Sequence, residues 1–346
     1  KSYRSCVVAF GESSPLIPQI IENGTPVTNF RIKGVWGAIF AYLYLRQLIK
    51  GVDAQFLYSW LYHTHLISII SKLNFPSLKI YWGIHSWKRE FSNKRTNAII
   101  SICARASILV PRKIIYVSDA SRDLHAEYGF DSQKAVVIEN GIRFLAPAPQ
   151  FMSAQERKKL VELKGKTVIG TVSRFVVEKD IGNFIAMARE LKTQHDNLRF
   201  VMIGAGLSAD NSALCNMLVE AGLRSETTLI KVSTDLGTWL NRMDVFCLTS
   251  KSESFPLVIG EAILAGTIPV ATDAGGVCKI FPKDRIFCSQ LIASVGDATG
   301  FASRVSQVIS MNPEERVECI NLLQNHVSTY FSEDKYAFKH ADLFKT

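Results

Sequence analysis

Short runs of β-branched and aliphatic residues alternate along the chain with longer stretches whose apolar positions recur every three or four residues. That alternation predicts parallel strands joined by helices, an α/β protein with doubly wound sheets. In the first half the predicted strands are Cys6–Phe10, Val27–Ile32, Ala54–Tyr58, Leu78–Trp82, Lys113–Val117 and Ala135–Ile138, with helices such as Leu61–Leu73 and Ala120–Tyr128 between them. In the second half they are Thr167–Ser173, Leu198–Ile203, Thr228–Val232, Val245–Thr249 and Ile268–Thr272. Between these, Ile181–Leu191 sets Ile181, Phe184, Ile185, Ala188 and Leu191 on one helical face.

Ala146-Pro147-Ala148-Pro149 interrupts the alternation and reads as a linker, followed by a charged helical stretch at Ser153–Leu163. The expected organisation is a first domain over 1–145, a linker over 146–165, a second domain over 166–325, and a C-terminal helix within 326–346 packing back on the first domain. Ligands of doubly wound sheets bind outside the carboxyl ends of the strands. Two such domains facing each other would enclose a cleft.

Residues 244–276 carry the richest chemistry. A buried strand enters the polar turn Ser250–Ser254. Pro256 suits the first helical position, with Ser254 or Phe255 near the cap, and Gly266 ends the helix. The exposed backbone N–H groups of such a helix start can hold phosphate or sugar oxygens. Two carboxylates, Glu253 in the turn and Glu261 in the helix, have seven residues between them. A carboxylate accepts two hydroxyl hydrogen bonds and so fits a ribose or hexose diol. An isolated Glu is ordinarily solvated; the apolar and glycine-rich surroundings argue against that here.

At 167–179 a strand delivers Arg174 to its carboxyl edge, and Lys179 precedes a helix predicted to begin near Asp180. A lysine there opposes the helix dipole. A bound diphosphate would relieve that conflict, with Arg174 adding a forked donor. Asn140-Gly141 forms a tight-turn pair directly after a strand. Strand Leu78–Trp82 brings Gly83 and His85 to its carboxyl edge. A histidine there can donate to a sugar hydroxyl or to developing negative charge. His63 and His65 lie in a predicted helix with their rings pointing apart, so no metal site is expected.

Gly204-x-Gly206-x-x-Ala209 after a strand is similar to a dinucleotide fingerprint. The fingerprint needs an acid about 20 residues on, at the end of the next strand. Here the nearest acid, Asp235, comes late and in a polar loop. Gly204 is therefore read as a turn that lets backbone approach a ligand.

Composition narrows the class. The 346 residues are 47% hydrophobic and 21% charged, which excludes disorder and small disulfide scaffolds. The longest apolar run, Val35–Leu45, has eleven residues, too few to cross a bilayer, and no secretory pattern opens the chain, although it begins with Lys1. Seven cysteines without Cys-x-x-Cys spacing, of which Cys6, Cys103 and Cys247 sit in apolar stretches, read as buried reduced thiols of a cytosolic protein. Charge is uneven: residues 1–150 hold 18 Lys/Arg against 9 Asp/Glu, while 151–346 hold 22 of each. No nucleic-acid-binding motif accompanies the basic half. An anionic inner-leaflet surface is the expected partner, and a merely solvated basic surface is the alternative.

These motifs resemble glycosyltransferase family 4, retaining enzymes of the GT-B fold. The resemblance rests on S-R-F-x-x-x-K at 173–179, V-I-x-N-G-I at 137–142, and S-x-x-E-S-F-P-L-V-x-x-E-A-x-x-x-G-x-x-P-V around Glu253 and Glu261. It implies two Rossmann-like domains and a nucleotide diphosphate sugar as donor, with no metal and no separate cofactor. It implies that Glu253 contacts the donor sugar, Glu261 holds the ribose, and Arg174 and Lys179 bind the diphosphate. Ser254, Phe255, Pro256 and Leu257 would cradle sugar and phosphate, and His85 matches the family's acceptor-domain histidine. Asn140, Gly141 and Gly204 join the expected donor-binding set. The implied reaction transfers a hexose-type sugar to a glycan or lipid-linked acceptor in bacterial polysaccharide or lipopolysaccharide synthesis, with a soluble metabolite as second choice of acceptor.

The chain departs from the family pattern in three places. It is expected to lack one N-terminal strand–helix unit; Lys231-Val232 stands where Leu-Gly is usual; and Lys279 stands where Glu is usual. Three other readings remain open: a sugar-nucleotide epimerase of the same fold, a nicotinamide-dependent oxidoreductase using Gly204 and Gly206, and a non-catalytic subunit.

Overall fold

The computed structural model describes residues 4–11, 14, 16–30, 34–86, 94–282 and 289–345. The first part of the chain forms β1 (Val7–Phe10), α1 (Ile17–Glu22), β2 (Val27–Phe30), α2 (Gly34–Gly51), β3 (Phe56–Trp60), α3 (Tyr62–Asn74), β4 (Lys79–Ile84), α4 (Lys94–Ser107), β5 (Pro111–Tyr116), α5 (Asp119–Glu127) and β6 (Ala135–Val137). Strands β3-β4-β5-β6 make a parallel four-stranded sheet, and β1-β2 make a separate parallel pair.

The second part forms α6 (Ala154–Glu162), β7 (Thr167–Val172), α7 (Ile181–Gln194), β8 (Leu198–Ile203), α8 (Ser212–Glu220), β9 (Thr227–Ile230), α9 (Leu236–Arg242), β10 (Val245–Leu248), α10 (Leu257–Leu264), β11 (Ile268–Thr272), β12 (Ile292–Ala293), α11 (Ala298–Ile309), α12 (Pro313–Tyr330) and α13 (Glu333–Leu343). Its parallel sheet runs β12-β11-β10-β7-β8-β9. Helices cover both faces, so the strands are continuous apolar runs rather than alternating ones. Val168, Ile169, Phe200, Val201, Met202, Val245 and Phe246 are fully buried. The order reverses between β7 and β10. This switch point opens a crevice at their carboxyl ends, because the following connections leave toward opposite faces.

Two expectations are corrected. Helix α10 begins at Leu257, and Pro256 is its N-cap rather than its first residue. Cys6 is exposed, not buried: it precedes β1, and that strand pairs with β2 without joining the four-stranded sheet among the described residues. Cys103 and Cys247 are buried, and Cys288 lies outside the described residues. The short edge strand β12 has no counterpart in the sequence reading, since two residues carry no periodicity. The apolar run Val35–Leu45 is the first part of α2. No helix among the described residues is long and apolar enough to cross a membrane.

Two chain crossings join the halves. After β6 the backbone passes Ile142, whose N–H donates to the Phe331 carbonyl at 2.6 Å and which bridges Ser332. It then reaches α6, where Ser153 and Glu156 form a reciprocal cap. The return crossing separates α12, which packs on α10, from α13, which lies on β3 and β4. There the Phe344 ring meets Phe56 and Tyr81 edge-on at 5.3 and 5.0 Å, and the Tyr81 hydroxyl donates to the Leu343 carbonyl.

Candidate active site

The carboxyl ends of β7 and β10 lie side by side, so their loops build one site. The β10 loop is sewn to the β7 loop by backbone-directed bonds. The Thr249 hydroxyl donates to the carbonyls of Lys179 and Asp180, and the Lys251 N–H donates to the Glu178 carbonyl at 2.8 Å. Asp180 caps α7 in the left-handed conformation, φ 46° and ψ 54°. Such backbone costs about 1–3 kcal/mol and persists where surrounding contacts over-determine it.

This sewing brings Lys179 to Glu253. Lys179 Nζ donates to Glu253 Oε1 at 2.5 Å, and the Ser250 hydroxyl donates to the same oxygen at 2.7 Å. Both side chains are largely buried, 21% and 10% exposed. Two donors therefore hold one carboxylate oxygen. The backbone is fixed from a third side: Gly276 N–H donates to the Glu253 carbonyl, and a Cβ on Gly276 would fall 1.9 Å from the Ser254 carbonyl. Only glycine fits that approach. Ser250, Thr249 and Asp180 were not anticipated from sequence; their one signal was a run of small hydroxyl residues at a strand end.

Ser254, Phe255 and Pro256 then lead into α10, whose start carries no side-chain cap. Ile259 N–H donates to the Pro256 carbonyl at 3.2 Å, and the N–H groups of Leu257 and Val258 are left to a ligand or to water. Phe255 is buried edge-on against Phe331 at 5.3 Å, anchoring the turn, while Leu257 is partly exposed. Glu261 is half-buried one turn further on and makes no side-chain hydrogen bond to the described residues. Burial raises its pKa, and the Arg143 charge partly opposes that.

Arg174 is exposed just past β7. Behind it, Ser173 and Phe175 donate their N–H groups to the carbonyls of Ile203 and Ala205. Gly204 is at φ +139°, and a Cβ there would lie 1.8 Å from the Ser173 carbonyl; one on Gly206 would meet Phe175 at 2.8 Å. The glycine pair thus lets the β8 loop support the Arg174 loop from behind. Asp235, the acid that a nicotinamide site would have to use, is spent: its carboxylate accepts from Thr238 N–H at 3.0 Å and Ala148 N–H at 2.9 Å.

Across the cleft, His85 is exposed immediately after β4. Nearby protein lowers its pKa, and His340 adds to the effect. Gly141 backs onto α13: a Cβ there would lie 2.8 Å from Glu333 Cα, at the start of that helix, and Asn140 is half-buried beside it. The cleft walls meet at α5. A Gly276 Cβ would stand 3.1 Å from Ser118, and Lys279 pairs with Asp119 and lies 3.8 Å from Glu139. Lys279 therefore has acids facing it in the first domain. A pocket of about 620 Å³ opens there between Lys279, His326 and Lys339; among the described residues, neither Glu253 nor Glu261 lines it.

The fold and these paired loops define a two-domain GT-B transferase architecture. A family profile described as "Glycosyl transferases group 1" matches residues 152–325, and one described as "Glycosyltransferase Family 4" matches residues 2–144. The chain belongs to this glycosyltransferase family. The Vi polysaccharide biosynthesis protein VipC/TviE of Salmonella typhi is 32% identical over 151 residues, covering 42% of this chain; the chain spans a quarter of that protein's length. N,N'-diacetylbacillosaminyl-diphospho-undecaprenol alpha-1,3-N-acetylgalactosaminyltransferase of Campylobacter jejuni is 21% identical, covering 82% of this chain and 74% of its own. The crystal structure of Anabaena HepE in complex with UDP-glucose shares the fold, with a TM-score of 0.82 over 98% of this chain and 99% of that one, at 15% identity.

Proposed function

We propose that the protein is a retaining, metal-independent hexosyltransferase. It takes a sugar from a nucleotide diphosphate sugar and passes it to a glycan or lipid-linked acceptor in bacterial surface-polysaccharide synthesis. The observation that carries this is the Lys179–Glu253–Ser250 cluster at the switch point, beside the uncapped start of α10 and Glu261, whose carboxylate makes no hydrogen bond among the described residues. Breaking the sugar–phosphate bond leaves charge on the diphosphate. Lys179, Arg174 and the α10 N–H groups stand where they stabilise it electrostatically. Glu253, held at Oε1 by two donors, keeps Oε2 for a sugar hydroxyl. That role orients the sugar and suits a reaction on one face better than attack by the carboxylate itself. The reading is tested by thermal stability against UDP-glucose, UDP-N-acetylglucosamine, GDP-mannose, ADP-glucose and NAD. Stabilisation by a nucleotide sugar, with release of its nucleotide diphosphate on incubation, is expected. A shift with NAD alone sinks it.

The protein works in the cytoplasm, on an anionic lipid surface. Helix α2 supports this with an outward face of Trp36, Ile39, Phe40 and Leu43, followed along the same face by exposed Arg46 and Lys50. Trp36 and Phe40 are 74% and 67% exposed. Apolar insertion combined with basic residues is how helices lie on membranes. Vesicles containing phosphatidylglycerol should co-sediment the protein at low salt, and phosphatidylcholine vesicles should not. Trp36→Ala/Phe40→Ala should lose most of that binding; retention by the double variant removes α2 as the docking face.

A further inference from the structure

Next to His85, the Ser86 backbone and side chain are tied into a closed ring of hydrogen bonds that transfer chemistry itself does not require. The Tyr62 hydroxyl lies 2.7 Å from Ser86 Oγ and 2.6 Å from His125 Nε2. His125 Nδ1 lies 2.6 Å from the Ser121 carbonyl, and the Ser121 hydroxyl donates to the Ser86 carbonyl at 2.6 Å. His125 and Ser121 are both buried.

The donor directions have one solution. A carbonyl only accepts, so His125 Nδ1 carries its proton toward Ser121. Burial lowers the His125 pKa to about 4 and raises that of Tyr62 to about 12, so both are neutral. The neutral imidazole then has a bare Nε2, which accepts from Tyr62. Tyr62 has spent its one proton, so it accepts from Ser86. Ser86 is thereby gripped at its hydroxyl and at its carbonyl. The other titratable groups near His125 are Tyr116 of β5, Tyr128 just past α5, and His65 of α3. His65 and Tyr116 are kept neutral by burial.

The ring also reaches the second domain. Ser121 lies in the first turn of α5, capped by Ser118, and Ser118 and Asp119 are the residues that meet Gly276 and Lys279 across the cleft. We propose that Tyr62, Ser121 and His125 are positioning residues: they hold the His85–Ser86 segment at the cleft edge and tie its place to the helix that touches the donor domain. The proposal rests on the transferase reading above, with His85 facing the donor sugar.

The test measures nucleotide diphosphate release from whichever of the four sugar nucleotides the wild-type protein turns over, together with the affinity of the corresponding nucleotide diphosphate alone. Misplacement of a group by about 1 Å can cost up to about 100-fold. Tyr62→Phe and Ser86→Ala should lower kcat about 10- to 100-fold and leave nucleotide diphosphate affinity within about twofold. Ser86→Thr keeps a hydroxyl and should restore most of the rate. Should Tyr62→Phe fail to fold, the Ser86 pair decides. Nitrogen-15 NMR of the wild type should show His125 protonated at Nδ1 and uncharged from pH 8 to pH 5. Wild-type rates in both variants, equal losses in Ser86→Ala and Ser86→Thr, or an Nε2-protonated His125 would each overturn the proposal. A wild-type protein that turns over none of the four sugars instead removes the transferase reading beneath it.

Discussion

Glu253→Gln is expected to lower turnover of the donor sugar by about 100- to 1000-fold, the range for losing one preorganised polar contact to a transition state. Gln keeps the size of the side chain and an oxygen for Lys179 and Ser250. It loses the charge that fixes Lys179 and that faces the positive character growing on the sugar ring. On the proposed reading the nucleotide is held elsewhere, by Glu261, Arg174 and the start of α10, so nucleotide diphosphate affinity should change little. Steady-state kinetics beside isothermal titration separates the two quantities. Because the Lys179–Glu253 pair is mostly buried, removing one partner also threatens stability, and a melting curve of the variant is the control. Wild-type turnover in a folded Glu253→Gln protein would make the carboxylate a structural anchor for Lys179. The non-catalytic reading would then gain weight.

Glu261→Ala should act on binding instead. A carboxylate accepting two hydroxyls forms charge-assisted bonds worth about 1.5–3 kcal/mol each, so nucleotide affinity should fall about 100-fold or more. Burial already raises the Glu261 pKa. Hydroxyl donors favour the ionised form and pull the pKa back down on binding. Donor binding should therefore strengthen as pH rises through the raised pKa, with a proton released on binding in that interval. Titration calorimetry in buffers of different ionisation enthalpy measures that release. Unchanged affinity in Glu261→Ala, or proton uptake on binding, would refute the ribose role.

Much of the second domain was legible because its strands are buried on both faces: Leu198–Ile203 and Ile268–Thr272 are found at the limits read from sequence. Edges were less legible. β1 and β2 have the composition of sheet members yet, among the described residues, pair with each other alone, since pairing partners are not encoded in local pattern. Lys179 and Glu253 are 74 positions apart, and only the adjacency of β7 and β10 joins them. The resemblance pointed to both residues without showing their contact. Gly204 looked like a ligand-facing turn, but the neighbour that demands a glycine there is the Ser173 carbonyl, which no spacing rule reveals. His125 drew no attention because a histidine four residues after a serine on a helix usually faces solvent.

The two crossings between the halves sit against each other, pinned by the Ile142–Ser332 bridge. Two bodies pinned along such a seam would swing about it more easily than slide or twist, and the swing would have to break the Lys279–Asp119 pair at α5. Asn140 and Gly141 lie beside the seam. His85 follows β4, two strands farther out, or about 10 Å at the usual strand spacing. A swing about that seam would carry His85 through an arc while the Asn-Gly turn would only pivot, so on the proposed reading the separation of His85 from the donor domain is a distance that reports closure.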